Sequence, residues 1–195
     1  MSSPSTHRRT LLLAFALTFA GCDGSVVEPT AASTPASIPD VGTVATQAGR
    51  AAHPLPFKGS MEGVHVSRTP LDPPFVFDVF ELTGTATHLG RFELVIEAVA
   101  NFGAGPVTGT GTSTFTAANG DKLVADNTGS SALIQPGLVL ITELNVIDPD
   151  RSTGRFAGAT GTFTVRRRAD AATGVSGVTA GTFEGSIVLE TPHDR

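Results

Sequence analysis

The sequence predicts an all-β fold, a single eight-stranded antiparallel β-barrel. From Leu55 onward, eight runs of alternating side chains occupy 55–66, 75–87, 91–101, 107–118, 121–133, 138–147, 154–168 and 176–190. Gly, Pro, Asn and Asp separate them, as turn residues separate strands. No long segment places apolar residues at helical spacing. Large and small residues also alternate on one face of several runs, which suits the interior of a small closed barrel. Phe supplies all the aromatic content, with 12 copies against no Trp and no Tyr.

The chain before Leu55 divides in two. Arg8 and Arg9 precede an apolar run at 11–20. Spanning a bilayer takes about 20 apolar residues, so this run has the length of a secretion-signal core instead. The run ends in FAGC at 19–22. That arrangement resembles the lipobox of bacterial lipoproteins, matching at Ala20, Gly21 and Cys22, with Phe19 where Leu is usual. The resemblance implies diacylglycerol transfer to Cys22, cleavage before it and N-acylation. It also implies a cell-envelope location, with a membrane as partner through the lipid. Several acyl chains anchor far more firmly than one. Residues 1–21 form the signal peptide in this reading, and 22–54 form a tether rich in Ala, Thr, Ser and Pro. The tether buries too little apolar surface to offset the entropy of ordering it. The barrel occupies 55–191. Cys22 is the single cysteine, so no internal disulfide forms.

Each barrel run shows two faces. In the first, Phe57, Gly59, Met61, Gly63 and His65 share a face, which aims His65 inward near a barrel end. The second is apolar on both faces, which leaves the direction of Glu81 open. In the third, Phe92, Leu94, Ile96 and Ala98 oppose Glu93, Val95, Glu97 and Val99. In the fourth, Gly109, Gly111, Ser113 and Phe115 oppose a row of threonines at 108, 110, 112, 114 and 116. The Asn119-Gly120 pair then accepts the positive φ angles of a tight hairpin into the fifth run. Glu143 lies in the strongly apolar sixth run. The seventh carries Phe163, and the eighth alternates Gly181, Phe183, Gly185 and Ile187. Short joints imply antiparallel neighbours. The polar rows are expected to face solvent.

Two stretches resemble known proteins. GTATHLGRF at 84–92, with the later Asn-Gly turn, looks like bacterial secreted proteins and lipoproteins. TGRFAGATG at 153–161 is similar to a segment of the allene oxide cyclase and dirigent-protein barrels. That likeness, at low stringency over 84–187, implies an eight-stranded antiparallel barrel that binds small hydrophobic molecules. It implies no chemistry, because the shared segment is structural and no catalytic residue of those families falls on this chain.

Most reactive sites are excluded by detail. TGRFAGATG lacks the Lys-Ser/Thr ending of a phosphate loop, and a strand follows it where a dinucleotide fold needs a helix. Val178 replaces the second glycine of a serine nucleophile elbow after Ser176. No close histidine pair or second cysteine supports a zinc site. Asp148 and Asp150 read as a solvated turn more than a calcium loop. No metal and no cofactor is expected. A formal net charge of −5 argues against nucleic acid. The run Arg166, Arg167, Arg168 reads as a solvated strand end.

What remains is a binding module. Its inner face would enclose a small apolar ligand, with Phe92, Phe115, Phe163 and Phe183 beside Phe57, Met61 and Leu94. His65, His88 and Glu81 are the candidate polar contacts, His88 from a turn at a barrel rim. The alternatives are a cyclase- or isomerase-like enzyme, for which no catalytic constellation is visible, and an interaction protein using the outer threonine rows.

Overall fold

The computed structural model describes residues 53–103, 105–172 and 175–190. Cys22, the signal segment and the tether up to residue 52 lie outside the described residues. Eight strands follow one another: β1 (Leu55–Pro70), β2 (Phe75–Ala86), β3 (Gly90–Asn101), β4 (Val107–Ala117), β5 (Lys122–Gln135), β6 (Leu138–Ile147), β7 (Thr160–Asp170) and β8 (Val178–Val188). Each pairs antiparallel with the next, and β8 pairs with β1 to close the barrel. Closure leaves no unpaired sheet edge.

The expected strands are all present, with one correction. Residues 154–159 do not begin the seventh strand. Gly154–Phe156 form a short 3-10 turn, and β7 starts at Thr160. Gly154 (φ +62°) and Gly158 (φ +75°) occupy the left-handed region, which breaks a pleated strand. A Cβ at either would also collide with a carboxylate, that of Asp121 or Glu190.

Because successive strands run in opposite directions, the connections divide between two ends. One end collects the start of β1, the turns at 87–89 and 118–121, the 148–159 loop and the end of β8. The other collects 71–74, 102–106, 136–137 and 171–177.

The first end is plugged. Phe57, Phe92, Phe115, Phe163 and Phe183 all point inward and are buried. Their rings meet at tilted or edge-on angles, with centroids 5.0 Å apart for Phe57–Phe183 and 5.1 Å for Phe92–Phe115. Small residues opposite make the room. A Cβ on Gly59 would lie 2.5 Å from Cζ of Phe183, and one on Gly84 would lie 2.7 Å from Cζ of Phe92. Leu89 from a turn and Phe156 from the 3-10 element are buried in the same core. Each such side chain contributes roughly 1.5–3 kcal/mol through burial. The Arg155 guanidinium lies over the Phe156 ring at 4.8 Å and donates to the Leu89 carbonyl at 3.1 Å. TGRFAGATG is therefore a lid over the closed end.

Candidate functional site

Polar side chains take the inward positions toward the other end. The same alternation that aims Phe57 and Met61 inward carries on along β1 to His65. On β2 it selects Asp78 and Phe80, on β5 Asn127, on β6 Glu143 and Asn145, on β7 Arg167 and on β8 Thr179. Of these, His65, Asp78, Phe80, Asn127, Glu143 and Arg167 line a cavity of about 200 Å³. Phe102, Ala171 and Gly177 from the connections also line it, so it lies at that end of the barrel.

Two ionic clusters organise the site. Arg167 is only 2% exposed. Its Nε donates to Glu143 Oε2 at 3.1 Å and its Nη2 to Oε1 at 2.9 Å, a bidentate pair. Its Nη1 donates to Thr179 Oγ1 at 3.2 Å. The guanidinium also lies 4.3 Å from the centroid of Phe80. The second cluster centres on Asp78. It accepts from Arg68 Nε at 2.8 Å and Nη2 at 2.9 Å, and from His65 Nε2 at 3.1 Å. The hydrogen-bonded Asp78 carboxylate holds the Arg68 guanidinium above its ordinary pKa. His65 Nε2 also faces the Ser67 carbonyl at 3.0 Å. Both partners are acceptors, so Nε2 carries the hydrogen. The His65 ring stacks on Phe80 with centroids 4.6 Å apart.

Deeper in the barrel, Asn127 Nδ2 donates to Ser113 Oγ at 3.0 Å. Asn145 is fully buried directly opposite Asn127 in the β5–β6 register. Its Nδ2 reaches the Glu143 carbonyl at 3.4 Å. Its Oδ1 is the only buried side-chain polar atom among the described residues with no hydrogen-bond partner.

The structure sorts the sequence candidates. His65 points inward at the cavity, as its face required. His88 stands exposed in the 87–89 turn at the closed end, with φ +65°. Glu81 faces outward and is exposed, because Phe80 and Leu82 take the inward positions of β2. Phe92, Phe115, Phe163 and Phe183 form the plug and do not line the cavity. Glu143 is buried, paired with Arg167. Asp148 serves its own turn, accepting the backbone N–H groups of Asp150 at 2.9 Å and Arg151 at 3.1 Å.

The arginine run needs a correction. Arg166 and Arg168 are exposed, but Arg167 is inside the barrel. Three consecutive residues of a strand cannot share a face, and that rule was the available signal. Asp78 had no such signal, because both faces of β2 read as apolar.

A broader outer depression, about 880 Å³, runs past Glu62, Thr83, Arg91 and Glu93. These four side chains are exposed, so it lacks the buried polar groups of the cavity. No family model, curated protein or solved structure matches the chain.

Proposed function

We propose that this protein is a lipid-anchored barrel of the bacterial cell envelope that binds a small amphipathic molecule in its open end. One observation carries the reading. Half of the barrel is filled with hydrocarbon, whereas the other half keeps a buried ion pair around a cavity. A buried ion pair adds little to stability compared with hydrocarbon of similar volume. Buried ionisable groups beside a cavity are the mark of a site. A volume of about 200 Å³ corresponds to roughly seven waters at about 30 Å³ each. That is room for a ligand of about that many non-hydrogen atoms.

The surroundings suit a ligand with an apolar part. Val107, Val139, Ile141 and Ala169 line the cavity beside the charged groups. Leu71, Phe75, Phe102, Leu133, Ile134 and Val175 are exposed apolar side chains at or next to the connections of that same end. Exposed apolar clusters of this kind mark contact or entry sites.

Native mass spectrometry of the purified protein against a panel of compounds of six to eight non-hydrogen atoms tests the binding. Retention of an amphipathic compound that is lost in Val139→Trp supports the reading. A panel that leaves only unliganded protein sinks it. The anchor is tested separately. Cys22→Ala is expected to move the protein from the detergent phase to the aqueous phase in cell extracts, and to remove the mass of the acyl chains.

A further inference from the structure

We propose that the open end of the barrel docks on a lipid bilayer, with its apolar side chains seated in the headgroup region and the cavity end turned toward the membrane. The proposal rests on the lipid anchoring proposed above and adds to it a second contact, made by the barrel itself.

The two ends differ in what their connections expose. At the closed end Leu89 and Phe156 turn into the core, and among the described residues those connections leave no large apolar side chain exposed. At the open end every connection presents one, in it or beside it: Leu71 and Phe75, Phe102, Leu133 and Ile134, and Val175. A bulge between Leu133 and Gln135 interrupts the alternation there, and both Leu133 and Ile134 are exposed. Apolar side chains set around a whole ring meet a plane, and a bilayer interface is one. A second copy placed end to end is the other. Strands about 4.8 Å apart and tilted by about 40° give an eight-stranded ring of about 8 Å radius, and an end face of about 500 Å² with its side chains. A standard interface buries about 800 Å² on each side, so the end face is too small to hold a dimer. Charges limit the depth of the contact. Asp72 and Asp170 lie at the same end, and Glu97 is exposed on β3 opposite Val79. The docking is therefore shallow. It is also apolar in origin, because Asp72 and Asp170 offset Arg168, and Arg68 is paired with Asp78. The tether joins β1 at the closed end, so this docking turns the barrel over toward its own anchor. At that tilt the 16 residues of β1 rise about 40 Å. Residues 22–54 reach up to about 110 Å when extended, which is ample.

The chain contains no Trp, so one introduced Trp reports its own surroundings, and Cys22 is its single cysteine. The mature chain, residues 22–195, is coupled through Cys22 to a maleimide lipid in vesicles of phosphatidylcholine and phosphatidylglycerol. That coupling holds it on a membrane whatever cells do to Cys22. Leu133→Trp marks the open end. Val146→Trp, at an exposed apolar position on the outer wall near the closed end, is the control. Brominated acyl chains are expected to quench Leu133→Trp at least about twofold more than Val146→Trp, with emission of the former moved to shorter wavelength. Raised salt is expected to leave that quenching unchanged, since salt screens charge and not apolar contact. Adding Phe75→Ser and Ile134→Ser, both at exposed positions outside the core, is expected to abolish it. Equal quenching at both Trp positions, no quenching at either, or quenching that salt removes would overturn the proposal. So would a shift to shorter wavelength without vesicles that comes with a doubled mass, which assigns the end face to a second copy. Absence of acyl chains on Cys22 in cells would overturn the anchor alone, because the coupled vesicles read the end face without it.

Discussion

Arg167 concentrates the residue-scale physics of this protein. A guanidinium inside a barrel carries a large desolvation cost, offset here by the bidentate Glu143 carboxylate, the Thr179 hydroxyl and the Phe80 ring. Losing one member of such a pair leaves the other charge buried alone, which costs about 3–5 kcal/mol, whereas replacing both with hydrocarbon is often neutral. Arg167→Met is expected to lower the unfolding free energy by about that amount, and Arg167→Met combined with Glu143→Met to recover most of it. Urea denaturation of the two variants and the wild type measures this. Equal losses in the single and double variants would show that the two residues are not an energetic unit. The Arg68–Asp78 pair differs, because the Arg68 side chain is 39% exposed. Solvent screens it, so its loss is expected to cost much less.

At the scale of elements, the 148–159 loop does the unusual work. Ser152 Oγ accepts from the Val124 N–H at 3.1 Å, and the Thr153 N–H donates to the Lys122 carbonyl at 2.8 Å, so the loop is laced onto β5. Gly154 is fitted to Asp121 in space and to a positive φ in conformation. Gly154→Ala is expected to cost roughly 1–3 kcal/mol, read from the thermal midpoint together with hydrogen exchange at Phe156. Two carboxylates make the same element sensitive to acid. Hydrogen bonds from Asn119 and Arg155 hold the Asp121 carboxyl below its ordinary pKa of 3.8. The Arg151 side chain and backbone do the same for Asp148. A pKa depressed on folding contributes stability that is present above the unfolded value. It is lost as pH falls through the folded one. Exchange protection of 148–159 is therefore expected to be flat from pH 7 to about pH 5 and to fall below about pH 4. Asp121→Asn with Asp148→Asn should remove that acid-dependent loss. A loop equally protected at pH 2 and pH 7 would contradict it.

The whole molecule divides its labour along the barrel axis. The closed half holds the phenylalanine plug, and the open half holds the buried charges and the cavity. Stability and binding should then respond to different residues. Phe115→Leu trims a fully buried ring and is expected to cost about 1–2 kcal/mol. Its effect on affinity for any ligand of the open end should stay within about twofold, since the sites share no contact. Urea titration paired with calorimetry checks both halves of that statement. A Phe115→Leu protein that keeps its stability but loses ligand would reverse the assignment of the two ends.

Much of this architecture was legible in the chain itself. Alternation with a period of two is a property of a single strand, imposed by the backbone pleat. It therefore determined the eight strands, their inward faces and the inward turn of His65. The Asn119-Gly120 hairpin was equally local, because its φ requirement sits in two residues. TGRFAGATG reads as strand in the sequence because glycines suit a bent strand as well as a lid, and only the positive φ at Gly154 and Gly158 separates the two. Glu81 and Asp78 could not be told apart in a strand whose faces both read as apolar. What no single strand contains is axial height, since the level of a side chain depends on tilt and stagger around the closed ring. Tertiary structure alone decided that Glu143 meets Arg167, that Arg68 and His65 converge on Asp78, and that Asn145 Oδ1 is buried without a hydrogen-bond partner.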